Sequence, residues 1–68
     1  MAVDARERVQ KLLVTGDNRL KQGVSAAKAR ESYEQALAVA RAAGIEDAVR
    51  PLVEIRLRDL ERLEHDDA

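Results

Sequence analysis

The chain has 68 residues, which is enough for one small domain, because chains of this length bury only about 60% of their unfolded surface. Twelve basic and 13 acidic residues leave a net charge of −1, which argues against a protein that binds nucleic acid through a basic surface. With no cysteine and a single aromatic residue, the chain has neither disulfides nor bulky core side chains, so we expect it to complete its burial by associating with other helices.

A first helix is predicted over residues 4–22. Asp4 is placed to accept from the free backbone N–H groups of the first turn, and Glu7 follows at the spacing of a capping box. The apolar residues recur at helical spacing and form one face: Ala5, Val9, Leu12, Leu13, Gly16 and Leu20. Gly16 costs about 1 kcal/mol relative to Ala in a helix, so it indicates either close approach of a second helix or a merely tolerated glycine.

A second helix is predicted over residues 26–43, antiparallel to the first. Gly23 is expected to end the first helix in a left-handed conformation, and Ser25 to cap the second. A link this short joins antiparallel neighbours. The buried face of the second helix is mostly Ala, which makes Tyr33 the largest core side chain, with its hydroxyl at a polar partner or at solvent.

A third helix is predicted over residues 46–64, followed by a frayed tail at 65–68. Gly44 and Ile45 have the pattern of a Schellman ending for the second helix. Pro51 lies early in the third helix, where it removes a backbone donor and clashes with the carbonyl four residues back. The sequence therefore predicts either a helix that begins late or one that bends near residues 47–50.

The third helix carries more apolar surface than one buried face requires, since its apolar residues span roughly 200° of the helix. We expect one part to pack on the first two helices, namely Ala48, Leu52, Ile55 and Leu63. The remainder is then predicted to be an exposed interface: Val49, Val53, Arg56, Leu57 and Leu60. Arg56 and Asp59 either pair in that interface or flank the core as solvated charges. A symmetric homodimer would cover this strip.

No pattern in the sequence indicates catalysis, a cofactor or a metal. The only histidine, His65, lies in the tail beside Asp66 and Asp67, and adjacent residues in a frayed tail make a weak metal site. Residues 16–23 lack the Gly-Lys-Ser/Thr ending of a phosphate-binding loop. The N-terminal residues do not form a secretory signal and no segment has the apolar length of a membrane span, so we expect a cytoplasmic protein with no membrane partner.

The segments GDNRLKQG and ARESYEQAL resemble a tetratricopeptide repeat, a helical hairpin of about 34 residues that stacks into interaction scaffolds. Gly16 matches the family's small residue in the first helix, while Ala29, Tyr33 and Ala36 match its small-aromatic-small pattern in the second. The resemblance covers about one and a half units, with the third helix as the start of a next unit or as a cap. It implies an all-α, three-helix antiparallel bundle and a peptide groove on the first helix. The groove positions it implies are Gln10, Leu13, Asp17 and Lys21.

The leading interpretation is therefore a non-enzymatic protein interaction or assembly module that forms a homodimer through its third helix. One alternative is a terminal docking domain of a larger bacterial multiprotein system, whose third helix packs on another helical protein. A less favoured alternative is a small DNA-binding regulator. Against that alternative, the arginines of the third helix are offset by five acidic residues between positions 47 and 64.

Overall fold

The chain folds into three α-helices in the computed structural model, which describes residues 4–23 and 25–66, the last three by their backbone only. The helices are α1 (Ala5–Lys21), α2 (Ala26–Ala43) and α3 (Glu46–Asp66), and the described residues contain no strand. The predicted all-α, three-helix fold is confirmed. The bounds of α2 are those predicted from its caps, whereas α3 continues two residues beyond its predicted end.

The predicted N-terminal caps are present in α1 and α2. The Asp4 carboxylate accepts a hydrogen bond from the Arg6 backbone N–H, with an oxygen–nitrogen distance of 3.2 Å. The Ser25 hydroxyl accepts from the Lys28 backbone N–H at 3.4 Å. Each cap satisfies a donor that has no partner inside its own helix, which is why these two residues mark where the helices begin.

Glycines in the left-handed conformation end α1 and α2. Gly23 has φ of 76° and Gly44 has φ of 75°, a region that residues with a Cβ rarely adopt. After α2, the Ile45 N–H donates to the Ala40 carbonyl at 2.9 Å and the Gly44 N–H donates to the Arg41 carbonyl at 3.2 Å. These two bonds form the predicted Schellman motif and turn the chain directly into α3.

Pro51 lies within α3, which begins at Glu46 and is assigned as helix on both sides of the proline. The predicted late start of this helix is therefore wrong. Because proline has no N–H, the carbonyl of Asp47 loses its helical partner. Asp47 is exposed, so water can take the place of that donor.

The core lies where α2 contacts the other two helices. Helix α2 packs against both α1 and α3, while α1 and α3 touch each other less extensively. The buried apolar residues come from all three helices: Val9, Leu13, Ala29, Tyr33, Ala36, Ala40, Val49, Val53 and Leu60. The molecule measures 43 × 22 × 12 Å, and its smallest dimension is little more than the width of one helix.

Gly16 permits the close contact between α1 and α2. It is buried, and a Cβ added there would lie 2.9 Å from the Cδ1 and Cζ atoms of Tyr33 and closer still to Cε1. The ring of Tyr33 thus occupies the space that any larger residue at position 16 would need. Of the two interpretations of this glycine, close approach of the second helix is the correct one.

The core face of helix α3 differs from the one predicted. Val49, Val53 and Leu60 are buried, and Leu57 is partly buried against them. The expectation that these residues form an exposed strip is wrong. The residues expected to pack on α1 and α2 are instead exposed: Ala48, Leu52, Ile55 and Leu63.

Candidate protein-binding surface

An apolar strip runs along the exposed side of α3. Leu52, Ile55 and Leu63 keep 47%, 57% and 49% of their surface exposed, and Ala48 extends the strip towards the start of the helix. Their spacing places them on one side of the helix over a length of about 22 Å, where the exposed Asp59 lies between Ile55 and Leu63. We call these four residues the outer strip. A row of large apolar side chains open to water is characteristic of a surface that contacts another protein.

A groove of about 450 Å³ lies beside this strip, between α1 and α3. Two exposed apolar side chains, Val14 of α1 and Leu52 of α3, stand on its opposite walls. The remaining lining residues are Arg6, Val9, Gln10, Leu13, Ile45, Ala48, Val49 and Arg56. We call this cavity the α1–α3 groove. Because Ala48 and Leu52 belong both to the groove and to the outer strip, the two surfaces adjoin.

The carboxylate of Asp17 connects all three helices close to Arg56 at the groove wall. It accepts a hydrogen bond from the Tyr33 hydroxyl of α2. It also accepts from the Nε atom of Arg56 in α3 at 3.3 Å and from its Nη2 atom at 3.4 Å. Arg56 Nη1 donates to the Leu52 carbonyl at 3.0 Å, which holds the guanidinium in place. These bonds fix which side of α3 faces α1.

Burial raises the pKa of the Tyr33 hydroxyl above its usual value, and the nearby Asp17 carboxylate raises it further. The ionised form of tyrosine would lose hydration and would repel this carboxylate. Tyr33 therefore remains a neutral hydrogen-bond donor over the ordinary pH range. Its predicted position, with the ring in the core and the hydroxyl at a polar partner, is confirmed.

Two further polar contacts hold the helices in position away from the groove. Arg19 of α1 donates to the Ser32 hydroxyl at 2.8 Å and to the Lys28 carbonyl at 2.9 Å, both in α2. At the turn between α2 and α3, Glu46 accepts from Arg41 at 3.0 Å and from Arg50 at 2.8 Å. Hydrogen bonds from the two guanidinium groups lower the pKa of the Glu46 carboxyl group.

The structure brings two of the four predicted groove residues to the α1–α3 groove. Gln10 and Leu13 line it. Asp17 is bonded to Arg56, one of the lining residues. Lys21 is exposed in the last turn of α1, outside the lining.

The residues predicted as an interface on α3 lie elsewhere. Val49, Val53 and Leu60 are in the core, and Arg56 is bonded to Asp17 of its own chain instead of pairing with Asp59 in an interface. The physical reason for this difference is the ion pair between Arg56 and Asp17, which turns the Arg56 side of α3 towards α1. With Arg56 facing α1, the neighbouring residues Val53 and Leu60 point to α2, and Ile55 points to solvent.

Sequence reasoning missed the outer strip as the exposed surface. One signal was present: Arg56 interrupts the apolar residues of α3, and Asp17 lies at the edge of the apolar face of α1. An isolated cation and an isolated carboxylate, each at the border of an apolar face, are candidates to pair across a helix interface. That pairing would have fixed the rotation of α3 and identified its exposed side.

The described side chains include no group of three His, Cys, Asp or Glu residues that could hold a metal ion. The tail residues His65, Asp66 and Asp67, considered above as a weak metal site, lie outside the side chains that the structure describes. Within residues 4–23 and 25–66, none of the helices has the length and apolar character that crossing a membrane would require.

Comparison with known proteins finds no matching family model, no similar curated protein and no similar solved structure.

Proposed function

We propose that this chain is a non-enzymatic protein–protein interaction module that binds through the outer strip and the adjoining α1–α3 groove. The observation that carries the proposal is that three large aliphatic side chains on one side of α3 are each about half exposed, with the charged Asp59 between Ile55 and Leu63 on that side. Full burial of a Leu or Ile side chain contributes about 1.5–3 kcal/mol, so covering the exposed half of each would stabilise a complex by roughly half of that per side chain.

A tetratricopeptide-like mode of action is consistent with this surface. Helices α1 and α3 flank one groove, as the first helices of successive repeats do in that family, and Gln10 and Leu13 lie in its wall. Gly16 and Tyr33, which meet between α1 and α2, occupy the positions that match the family's small residue of the first helix and aromatic residue of the second. We propose that the chain acts as a scaffold of about one and a half such units in the cytoplasm, and that another helical protein or a second copy supplies the missing neighbour.

Affinity capture with substituted chains tests this proposal. The wild-type chain is compared with Ile55→Glu and Leu52→Glu, and Ala27→Glu serves as the matched control because it adds the same charge at an exposed position on α2. A partner that binds through the outer strip is retained by the wild-type and control chains and lost with both α3 variants. Equal retention by all four chains would show that binding uses another surface.

The alternative of a terminal docking domain is distinguished by two further measurements, the oligomeric state of the purified chain and its melting temperature. In that case the purified chain stays monomeric, and the captured protein raises its melting temperature. The DNA-binding alternative is not favoured by the structure, since the exposed side of α3 that would enter a groove carries the aliphatic outer strip between its charges.

A further inference from the structure

We infer that the α1–α3 groove binds an amphipathic α-helix of another protein, whose apolar side fills the groove and whose acidic side chain pairs with Arg6. The inference rests on the proposed function and adds the chemistry of the partner. The shape of the groove, its apolar floor and walls, and the unequal charge at its two ends carry it.

The groove has an apolar floor between two apolar walls. Its floor contains Val9 and Leu13 of α1 and Val49 of α3, all of them buried. Val14 and Leu52 stand on the opposite walls and keep 49% and 47% of their surface exposed. An aliphatic side chain inserted here would contact aliphatic groups below it and on both sides. A helix with aliphatic residues at i, i+3, i+4 and i+7 presents one row of such side chains.

The length of the groove suits about two turns of a partner helix. On α1 the lining runs from Arg6 to Val14, eight residues apart, which is about 12 Å along the helix axis. Two turns of a helix cover about 11 Å. A membrane surface would reach the exposed walls of the groove but not its buried floor, so the shape favours a helix over a lipid surface.

The two ends of the groove differ in charge. Arg6 lies at one end, is exposed, and its side chain forms no ion pair with any residue that the structure describes. At the other end, the guanidinium of Arg56 is already neutralised by Asp17, with an Nε–Oδ1 distance of 3.3 Å. Asp4 and Glu7, the acids nearest to Arg6 in sequence, lie outside the lining.

A carboxylate of the partner is therefore favoured at the Arg6 end of the groove. There it meets a cation that has no counterion, and none of the described residues that line the groove is acidic. A lysine of the partner at the same place would be repelled by Arg6. Because Arg6 is exposed, salt should screen this preference.

Two synthetic helical peptides test this chemistry. Both carry leucine at i, i+3, i+4 and i+7, and one has glutamate at each end of that row where the other has lysine. Isothermal titration calorimetry measures their binding to the full chain at low salt. We expect the glutamate peptide to bind about fivefold more tightly, and the difference to shrink as salt is added. Equal affinities, tighter binding of the lysine peptide, or no binding by either peptide would overturn the inference.

Arg6→Glu supplies a second readout, with Arg8→Glu as the matched control. Both arginines are exposed residues of α1 and both substitutions change the charge equally, but Arg8 lies outside the groove. Circular dichroism checks that both variants remain helical. We expect Arg6→Glu to lose the preference for the glutamate peptide and Arg8→Glu to keep it. An equal effect of the two substitutions would attribute the preference to the net charge of the chain and overturn the inference.

Three further outcomes separate this inference from the proposed function. If Leu52→Glu abolishes capture of a partner protein while Arg6→Glu and Arg8→Glu retain it equally, the inference fails and the proposed function stands. Binding of the glutamate peptide that is unchanged by both Leu52→Glu and Val14→Glu would place the site elsewhere and overturn the inference. Binding to vesicles of phosphatidylcholine and phosphatidylserine that is lost in Arg6→Glu would identify a lipid surface as the occupant and also overturn it.

Discussion

Gly16 and Tyr33 meet at the point where α1 and α2 come closest. Gly16→Ala would raise helix propensity by about 1 kcal/mol. However, the added methyl group would lie 2.9 Å or less from three atoms of the Tyr33 ring. Overpacking of this kind typically costs about 1–3 kcal/mol, so we expect a net loss in the free energy of unfolding, measured by urea denaturation.

The same substitution in a Tyr33→Leu background gives the control. Leucine lacks the ring atoms that collide with the new methyl group, so Gly16→Ala should then be neutral or stabilising. An equal loss in both backgrounds would show that the effect does not come from the contact between the two residues.

The hydroxyl of Tyr33 makes the stability of the chain sensitive to alkaline pH. Its pKa in the folded chain is raised above the value of about 10 that it has when unfolded. The folded state therefore favours the neutral form, and this contribution is complete below pH 10 and lost as the pH rises beyond it. Between about pH 10 and the folded pKa, the free energy of unfolding should fall by about 1.4 kcal/mol per pH unit.

Tyr33→Phe removes the titrating group and its bond to Asp17. We expect this variant to be about 1–2 kcal/mol less stable than the wild-type chain near pH 7. The difference should shrink above pH 10, when only the wild-type chain titrates at this position. Urea denaturation of both chains across this range measures it, and parallel curves would contradict the assignment of the hydroxyl to a buried donor.

Helix α3 offers a matched pair of leucines that tests which of its sides is the core. Leu60 is fully buried, whereas Leu52 remains 47% exposed. Leu60→Ala should cost about 2–5 kcal/mol and so unfold much of this small domain. Leu52→Ala should change the stability of the monomer by no more than about 0.5 kcal/mol. Thermal denaturation at low protein concentration compares the two variants. A larger loss of stability in Leu52→Ala than in Leu60→Ala would support the core face of α3 that was predicted from sequence.

The carboxylate of Glu46 stabilises the junction of α2 and α3, and it is protonated in acid. Hydrogen bonds from Arg41 and Arg50 lower the pKa of Glu46 below its unfolded value. The stability that Glu46 contributes is therefore present above the unfolded pKa of about 4.3 and lost as the pH falls through the folded pKa. Glu46→Gln should lose less stability than the wild-type chain between about pH 5 and pH 3, as followed by circular dichroism. Identical acid profiles for Glu46→Gln and the wild-type chain would show that ionised Glu46 does not stabilise this turn.

The helices were predictable from sequence because their ends are set by local chemistry. Asp4, Ser25 and Gly44 satisfy or redirect backbone groups within a few residues, and a single sequence contains that information. The rotation of α3 was not predictable in the same way. Its apolar arc is wide enough to contain two possible cores, and the bond between Asp17 and Arg56, which are 39 positions apart, selects one of them.

The position of the candidate binding surface depends on the same rotation of α3. The expectation of surplus apolar surface on α3 agrees with the exposure of Leu52, Ile55 and Leu63, while the residues chosen to represent it were those of the core. Composition and periodicity report how much apolar surface a helix has. They do not report which part of it the neighbouring helices cover, because that depends on contacts between residues far apart in sequence.

At the scale of the whole molecule, stability should depend on protein concentration. If a second copy covers the outer strip, association stabilises the folded state by mass action and the melting temperature rises with concentration. We expect this dependence for the wild-type chain and for the control Ala27→Glu, and not for Ile55→Glu. Differential scanning calorimetry over a series of concentrations measures it. A wild-type melting temperature that is independent of concentration would contradict a dimer linked to folding.

Tyr33 is the only aromatic residue of the chain, and it is 1% exposed at the junction of all three helices. Every near-ultraviolet absorption and emission signal of the protein therefore originates from one phenol. A change in its fluorescence reports the separation of the helices without any attached label. The fold thus carries its own spectroscopic probe in the core that the three helices share.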